Sequence, residues 1–406
     1  MTGTAIRTSL DGEADLPRYF RLVFAKAREM ARGRLDFVLP DGRRFRAEGA
    51  EPGPVAEVRF HDEDVLGRLV REGDLGFCDA YLEGGWSTPD LQAFLDLLNA
   101  GNDALYRGFP MQGLVKAYER FRHWLHSNTK WQAKKNISYH YDLGNEFYTK
   151  WLDETMTYSS ALFETGQESL EAAQTAKYAA LVDAMGVKPG DHVLEIGCGW
   201  GGFAEYAAGE RGLKVTGLTI SGEQLKYARE RIEKAGLSDM VDLRMQDYRD
   251  ERGSYDGIAS IEMFEAVGEK YWPTFFDKVR DCLKPGAQAS LQIITITEKR
   301  FETYRKGVDF IQKYIFPGGM LPSKTALREQ LARAGLEERH ILEFAESYSQ
   351  TLRRWHESFN AKWAEIELMG FDERFKRMWD FYLASCAASF HGGNCDVVQI
   401  TVAKAD

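Results

Sequence analysis

The chain has 406 residues, of which 44% are hydrophobic and 28% are charged, a composition typical of a globular protein with two or three domains. Its formal net charge of −10 argues against general nucleic-acid binding, and five cysteines without paired spacing indicate a reducing compartment. No apolar run reaches the ~18 residues that cross a bilayer and the N-terminus lacks a signal-peptide core, so a cytoplasmic protein is expected. The histidines and cysteines show no metal-ligand spacing, so no metal site is expected.

Residues 1–125 are predicted to form a separate, smaller α+β domain. Two strand-like segments, LDFVLP and RRFRAEG, flank the turn Asp41-Gly42, which is a hairpin signal. A helix is predicted to follow, and one of its faces carries Val65, Leu66, Leu69 and Val70. A later helix is expected to be capped near Ser87 or Thr88.

The segment from Lys116 to Lys135 is basic within an acidic chain. Six lysines and arginines oppose one glutamate there, a local charge of +5, and Trp124 and Trp131 are interleaved. One interpretation is a patch that docks on an anionic membrane surface. The alternative is a solvated helix face whose aromatic side chains pack inward.

Residues 126–406 are predicted to form an α/β catalytic domain, because strands and helices alternate along them. Strands are predicted at 193–196, 214–219, 240–245, 255–261 and 288–295. Helices are predicted at 203–210, 221–235, 270–283 and 323–334. This alternation indicates a mostly parallel sheet covered on both faces.

The segment VLEIGCGWGG, residues 193–202, is the strongest local signal. A strand runs into a loop with four glycines within six residues, and a helix follows. Only glycine lets backbone approach a ligand so closely, so a nucleotide-type ligand is expected at this turn. The E-x-G-x-G pattern resembles the first motif of S-adenosylmethionine-dependent methyltransferases. A purely structural strand-to-helix turn is the alternative.

The carboxyl ends of parallel strands bind the ligand in such sheets, which selects further candidates. The first strand delivers Glu195, Gly197 and Gly199. Thr219, Ile220 and Gln224 follow the second strand, where they would share the work of holding ribose hydroxyls. Asp247 and Tyr248 follow the third, where they would meet adenine, although Asp247 could also be a solvated strand-end acid.

An aromatic stripe at helical spacing follows the sheet, with Tyr348, Leu352, Trp355, Phe359 and Trp363. Core packing is the favoured interpretation. A sharper hypothesis is that part of the stripe lines an apolar substrate tunnel.

Four further segments resemble the cyclopropane fatty acid synthase family. They are KKNISYHYDLGNEFYTKWLDETMTYSSALF (134–163), GLTISGEQ (217–224), MFEAVGEKYW (263–272) and KYIFPGGMLPS (313–323). The resemblance implies a Rossmann-like, seven-stranded class I methyltransferase domain behind a small N-terminal domain. It implies methyl transfer from S-adenosylmethionine to the cis double bond of a phospholipid acyl chain, followed by proton loss that closes a cyclopropane ring.

The resemblance also implies site residues. Tyr158 and Ser159 would join the cofactor set. A bound bicarbonate would serve as the base, held by Glu265, Tyr348 and the backbone amides of Ser160 and Ile294. Alternatively, Glu265 is a helix N-terminal acid and Tyr348 a packed aromatic residue.

Two positions depart from the family pattern, which has Cys where this chain has Ser160 and His where it has Gln292. An amide side chain can hydrogen-bond an anion but cannot carry a proton, which leaves the product open. A methylene- or methyl-branched acid, a diene-derived product and a non-catalytic lipid-binding protein are the alternatives. The resemblance of the N-terminal domain further implies a homodimer. The basic segment 116–135 predicts peripheral contact with the inner face of an anionic membrane, and the net charge predicts no nucleic-acid partner.

Overall fold

The computed structural model describes residues 5–100 and 143–405. The basic segment from Lys116 to Lys135, the boundary predicted between residues 125 and 126, and the start of segment 134–163 lie outside the described residues.

Within residues 5–100, the N-terminal part combines a five-stranded sheet with four helices, in the spatial strand order β1-β3-β2-β4-β5. The strands are β1 (Ile6–Arg7), β2 (Arg32–Val38), β3 (Arg44–Glu48), β4 (Glu51–Phe60) and β5 (Trp86–Ser87). The helices are α1 (Phe20–Ala27), α2 (Asp64–Glu72), α3 (Asp74–Leu82) and α4 (Leu91–Asn99). The predicted hairpin is confirmed, since β2 and β3 pair antiparallel around a turn in which Gly42 has a φ of 84°.

Helix α2 confirms the predicted apolar face, because Val65, Leu66 and Val70 are buried. The predicted cap of the later helix is wrong. Asp90 is the N-cap of α4 and accepts a hydrogen bond from the backbone N–H of Ala93, whereas Thr88 bonds the backbone of Asp90 before the helix begins.

The catalytic part is built on a seven-stranded sheet with the order β11-β12-β10-β9-β6-β7-β8. Its strands are β6 (His192–Ile196), β7 (Lys214–Thr219), β8 (Val241–Met245), β9 (Tyr255–Ile261), β10 (Leu283–Ile296), β11 (Leu336–Glu343) and β12 (Cys395–Lys404). The five strands predicted from sequence are confirmed as the parallel part. Strand β12 runs antiparallel between β10 and β11 and places Gln399 opposite Gln292.

Helices cover both faces of this sheet, as predicted. The helices before and between the strands are α5 (Asn145–Trp151), α6 (Leu170–Met185), α7 (Gly202–Gly209), α8 (Gly222–Lys234) and α9 (Trp272–Cys282). The later helices are α10 (Glu298–Tyr304), α11 (Phe310–Tyr314), α12 (Lys324–Arg333), α13 (Ala345–Ala361), α14 (Trp363–Glu367) and α15 (Glu373–His391). One hydrophobic cluster lies under α6, α7 and α8, and another lies under α9 and α12.

A third cluster joins the N-terminal part to the catalytic part. It runs from the N-terminal sheet through Trp86 and Phe94 to aromatic residues of α13 and α15. The Arg353 guanidinium of α13 donates two hydrogen bonds of 2.9 Å to the Asp96 carboxylate of α4 across this junction. Among the described residues, no helix combines the length and apolar character needed to cross a membrane.

Candidate active site

The glycine loop has the backbone conformation that its sequence predicts. Gly197, Gly199 and Gly201 have φ values of 89°, 49° and 83°, a region that side chains disfavour. The N–H groups of Gly197 and Cys198 donate to the Leu218 carbonyl at 3.0 and 2.9 Å, which ties the loop to β7. A Cβ placed on Gly199 would meet no protein atom within 4 Å. The loop therefore presents open backbone to the space beyond it.

One cavity of about 610 Å³ adjoins this loop, and all ten residues predicted to bind the cofactor line it. They are Tyr158, Ser159, Glu195, Gly197, Gly199, Thr219, Ile220, Gln224, Asp247 and Tyr248. The side chains of Thr219 and Gln224 contact each other at 3.3 Å. Their grouping follows from the shared edge at which parallel strands end.

The Asp247 carboxylate is not an isolated, solvated strand-end acid, because it is paired with an arginine. Both of its carboxylate oxygens accept hydrogen bonds from the Arg249 guanidinium, at 2.8 and 2.6 Å, and the same guanidinium lies 5.6 Å from the Tyr248 ring centroid. Arg249 also lines the cavity and was not predicted. An Arg two residues beyond a strand-end Asp was the available signal.

Glu195 is a buried acid at the end of β6. Its Oε2 has no hydrogen-bond partner among the described residues, and burial raises the pKa of its carboxyl to about 8. A cationic or hydrogen-bond-donating ligand in the cavity would remedy this, because a buried carboxyl oxygen without a partner is costly.

The predicted catalytic residues do not converge on one point. Glu265 accepts the Ile294 N–H through Oε1 at 2.5 Å, while its Oε2 has no partner among the described residues. Burial raises the pKa of the Glu265 carboxyl to about 8, and the charge of nearby Glu262 adds to this shift. Glu265 and Ile294 therefore form one pair, apart from the other three residues.

Ser160, Gln292 and Tyr348 converge instead on Glu262, which sequence reasoning missed. Glu262 Oε1 accepts the Ser160 N–H and the Gln292 Nε2–H, each at 2.8 Å, and Oε2 accepts the Tyr348 hydroxyl at 2.6 Å. Glu262, Glu265 and Tyr348 line the cavity. The available signal was an acid directly after β9, at the carboxyl end of a central strand.

Lys177 of α6 places a second unpredicted charge behind this cluster. Its side chain is fully buried, and its Nζ donates to the Ser159 hydroxyl at 2.6 Å. Burial lowers the pKa of Lys177, while the charge of Glu262 opposes that shift. Burial likewise raises the pKa of Glu262, against the hydrogen bond from Tyr348 and the charge of Lys177.

The rest of the cavity is largely apolar and reaches the N-terminal part. Its walls include Phe77, Leu98, Phe316, Leu352, Phe381 and Tyr382. The aromatic stripe thus divides between its two interpretations. Tyr348 and Leu352 line the cavity, Trp355 and Phe359 are buried in the core, and Trp363 begins helix α14.

Comparison with known proteins gives a consistent result. The sequence profile of the mycolic acid cyclopropane synthetase family matches residues 128–400. The tuberculostearic acid methyltransferase UfaA1 of Mycobacterium tuberculosis is 38% identical over 91% of this chain and 88% of its own length. The cyclopropane-fatty-acyl-phospholipid synthase of Escherichia coli is 37% identical over 86% of this chain and 88% of its own length.

A solved structure agrees. The mycolic acid cyclopropane synthase CmaA1, complexed with SAH and CTAB, superposes with a TM-score of 0.62 at 29% identity, over 66% of this chain and 97% of that one. The chain, with its seven-stranded sheet and glycine loop, belongs to the mycolic acid cyclopropane synthetase family and is an S-adenosylmethionine-dependent methyltransferase.

Proposed function

We propose that this enzyme methylates the cis double bond of an unsaturated acyl chain in a membrane phospholipid, and that proton loss from the added methyl group closes a cyclopropane ring. The observation that carries the proposal is one cavity. It joins the glycine loop, two half-buried carboxyl groups (Glu262 and Glu265) and a long apolar wall. That combination suits an electrophile, a base and a hydrocarbon chain in one place.

The residues present fit S-adenosylmethionine. The open backbone at Gly199 would admit it, and the unpartnered Glu195 oxygen suits a cationic, donor-bearing ligand. Thr219 and Gln224, with Asp247 and Tyr248, would hold its nucleoside end. When bound, it supplies an electrophilic methyl group that the alkene can attack.

The enzyme's own contribution is to protect the carbocation that forms on the acyl chain. An alkene has no acidic proton, so no base can activate it beforehand, and the cation formed must be kept from water. The rings of Tyr158, Phe316 and Tyr382 border the cavity, where aromatic faces can stabilise positive charge. A base must then remove one proton.

The residues do not fit the bicarbonate that the family resemblance implied. Three of the four hydrogen-bond donors expected around it, the Ser160 N–H, Gln292 and the Tyr348 hydroxyl, already donate to Glu262. The fourth, the Ile294 N–H, donates to Glu265. An anion added there would face two half-buried carboxyl groups and would find these donors already engaged.

A second candidate product is a methyl- or methylene-branched acyl chain. Loss of a proton from the chain carbon next to the same cation would give a methyl-branched alkene, whereas a 1,2-hydride shift followed by loss of a methyl proton would give a methylene branch. Gln292, which cannot relay a proton, favours this candidate, as does the similarity to the tuberculostearic acid methyltransferase UfaA1.

We also propose that the protein acts as a homodimer, peripherally bound to the inner face of an anionic membrane. Support for membrane contact is the basic, Trp-bearing segment 116–135. Support for self-association is exposed apolar side chains of the N-terminal part, namely Ile6, Leu22 and Val55.

The test is mass spectrometry of lipids after incubation with S-adenosylmethionine and vesicles of monounsaturated phosphatidylglycerol or phosphatidylcholine. A gain of CH₂ with loss of the ozonolysis-sensitive bond identifies a cyclopropane, and the same gain with a cleavable alkene identifies a methyl- or methylene-branched alkene. Faster turnover on the anionic vesicles, lost at high salt, supports the membrane proposal. No gain on either vesicle, nor on a diene lipid, would refute the proposed reaction.

A further inference from the structure

Glu262 takes the place that a bound anion would need. Its two carboxylate oxygens gather a backbone N–H, a side-chain amide and a phenol, three donors that arrive from segments far apart in the chain. Such a set of donors is what an anion-binding pocket offers. Here the anion belongs to the chain itself.

The geometry leaves Glu262 able to accept a proton. A carboxylate offers about four lone-pair directions, and three are used by Ser160, Gln292 and Tyr348. Oε1 accepts two of these bonds and Oε2 only one. One lone-pair direction on Oε2 therefore remains unused, and the Glu262 side chain lines the cavity.

The backbone at Glu262 supports a functional reason for the side chain. Its φ is 49°, in the left-handed region that glycine tolerates and that side chains disfavour. The backbone N–H is held there by the Gln292 carbonyl at 2.9 Å, at the end of the β9–β10 pairing. Backbone strain of this kind clusters at functional sites, where the surrounding structure maintains it.

A buried lysine partly compensates the negative charge of the Glu262 carboxylate. Lys177 is fully buried and hydrogen-bonded to Ser159, and its positive charge lowers the pKa of Glu262 against the effect of burial. A buried cation of this kind compensates an ionised acid that lies away from water. Glu265 supplies no such compensation, since it is a second acid.

We propose that Glu262 is the base of the reaction, a carboxylate built into the chain that makes a bound bicarbonate unnecessary. The inference rests on the proposed function. Alkene electrons form the new bond to the methyl carbon, and the sulfur keeps the electron pair of the broken C–S bond. Glu262 then takes one proton from the added methyl group or from the neighbouring chain carbon. The electron pair of the broken C–H bond then closes the ring or forms the new alkene.

The test compares wild type with Glu262→Gly, Glu262→Gln and Asp15→Gly in carbon-dioxide-free buffer, with and without sodium bicarbonate. Glycine tolerates the positive φ, and removal of the Glu262 side chain frees the three hydrogen-bond donors that it now engages. We expect wild type to be indifferent to bicarbonate. We expect Glu262→Gly to lose about a hundredfold in turnover, as when a general base is removed, and to recover part of it with bicarbonate or formate.

The other two variants are controls. Glu262→Gln fills the pocket with a group that cannot act as base, so it should be inactive and not rescued. Asp15→Gly relieves the same φ of 49° at an exposed position and should behave as wild type. Activation of wild type by bicarbonate, or near-normal turnover by Glu262→Gln, would overturn the inference.

Binding of ¹³C-bicarbonate followed by NMR separates this inference from the proposed reaction. Binding to Glu262→Gly and not to wild type supports the inference even where no vesicle lipid is turned over, an outcome that would sink only the proposed reaction. Equal binding to both proteins, or to neither, counts against the inference.

Discussion

Gln399 determines which end of the Gln292 amide faces Glu262. Its Nε2 donates to Gln292 Oε1 at 3.0 Å and to the Lys177 carbonyl at 3.1 Å. Because Gln292 Oε1 is thereby engaged, the Gln292 Nε2 is turned toward Glu262. Gln399 is thus a positioning residue, and it acts on Glu262 only through Gln292.

We expect Gln399→Leu to reduce turnover by about tenfold, the effect of loosening one hydrogen bond to a charged group. The affinity for S-adenosylmethionine should stay unchanged. Burial raises the Glu262 pKa, while the Tyr348 hydrogen bond, the charge of Lys177, and the hydrogen bonds from the Ser160 N–H and Gln292 lower it. Weakening the Gln292 bond should therefore raise the Glu262 pKa further, so the acid limb of the kcat profile should move to higher pH.

The matched control is Thr401→Val. Thr401 lies two residues along β12 and forms a comparable cross-strand pair with Ser290 at 3.3 Å, away from Glu262. It should lose some stability and keep the wild-type pH profile. Identical acid limbs in Gln399→Leu and wild type would contradict the positioning role.

Residue identity alone could not have revealed Glu262. Its three partners lie 102, 30 and 86 residues away in sequence, so no local spacing links them. The sequence suggested Glu265, three residues later, because it lies in the MFEAVG motif. Ser160, Gln292 and Tyr348 were recognised as anion ligands, and the structure supplies the carboxylate that they bind.

At the scale of elements, the strand–loop–helix unit from β6 to α7 followed closely from sequence. An apolar run, a glycine cluster and a helix pattern are local signals, and the strands and helices around them lie within a few residues of their expected bounds. Strands β11 and β12 were not predicted. Strand β12 inserts antiparallel between β10 and β11, and its pairing with β10 joins residues about a hundred positions apart, which periodicity does not encode.

The Gly199 position gives an element-scale prediction. An alanine there meets no protein atom, so it costs about 1 kcal/mol for the positive φ and otherwise intrudes only on ligand space. We expect Gly199→Ala to weaken S-adenosylmethionine binding by about tenfold, equal to ~1.4 kcal/mol, in a calorimetric titration.

Gly236→Ala is the control for that titration. Gly236 follows α8 with a φ of 70° and open space around its Cα, so the variant carries a similar conformational cost far from the loop. Its thermal stability should fall like that of Gly199→Ala, with cofactor affinity unchanged. Equal affinities in both variants would show that the loop does not approach the ligand.

On the scale of the whole molecule, the N-terminal part contributes directly to the cavity. Helices α3 and α4 provide Phe77, Phe94, Leu95 and Leu98 to its apolar wall. The Asp96–Arg353 pair and the Gln92 bond to the Ala384 carbonyl hold α4 against α13 and α15. The sequence separated the two parts by composition, and it did not show that they share one cavity.

Leu98→Phe tests whether this shared wall receives the acyl chain. The phenylalanine ring is larger than the leucine side chain and takes space from the cavity. We expect this to weaken the binding of a long acyl chain by about 1–3 kcal/mol. We expect lower turnover on vesicles of long-chain monounsaturated lipid, with affinity for S-adenosylmethionine unchanged, because the cofactor loop contacts the cavity elsewhere. Leu91→Phe on the same helix is the control, since Leu91 is partly buried and does not line the cavity. If both variants turn over lipid equally, the acyl chain does not reach α4, and the N-terminal part serves docking or assembly alone. If only Leu98→Phe is impaired, and shorter acyl chains relieve the defect, the two parts of the chain form a single substrate site.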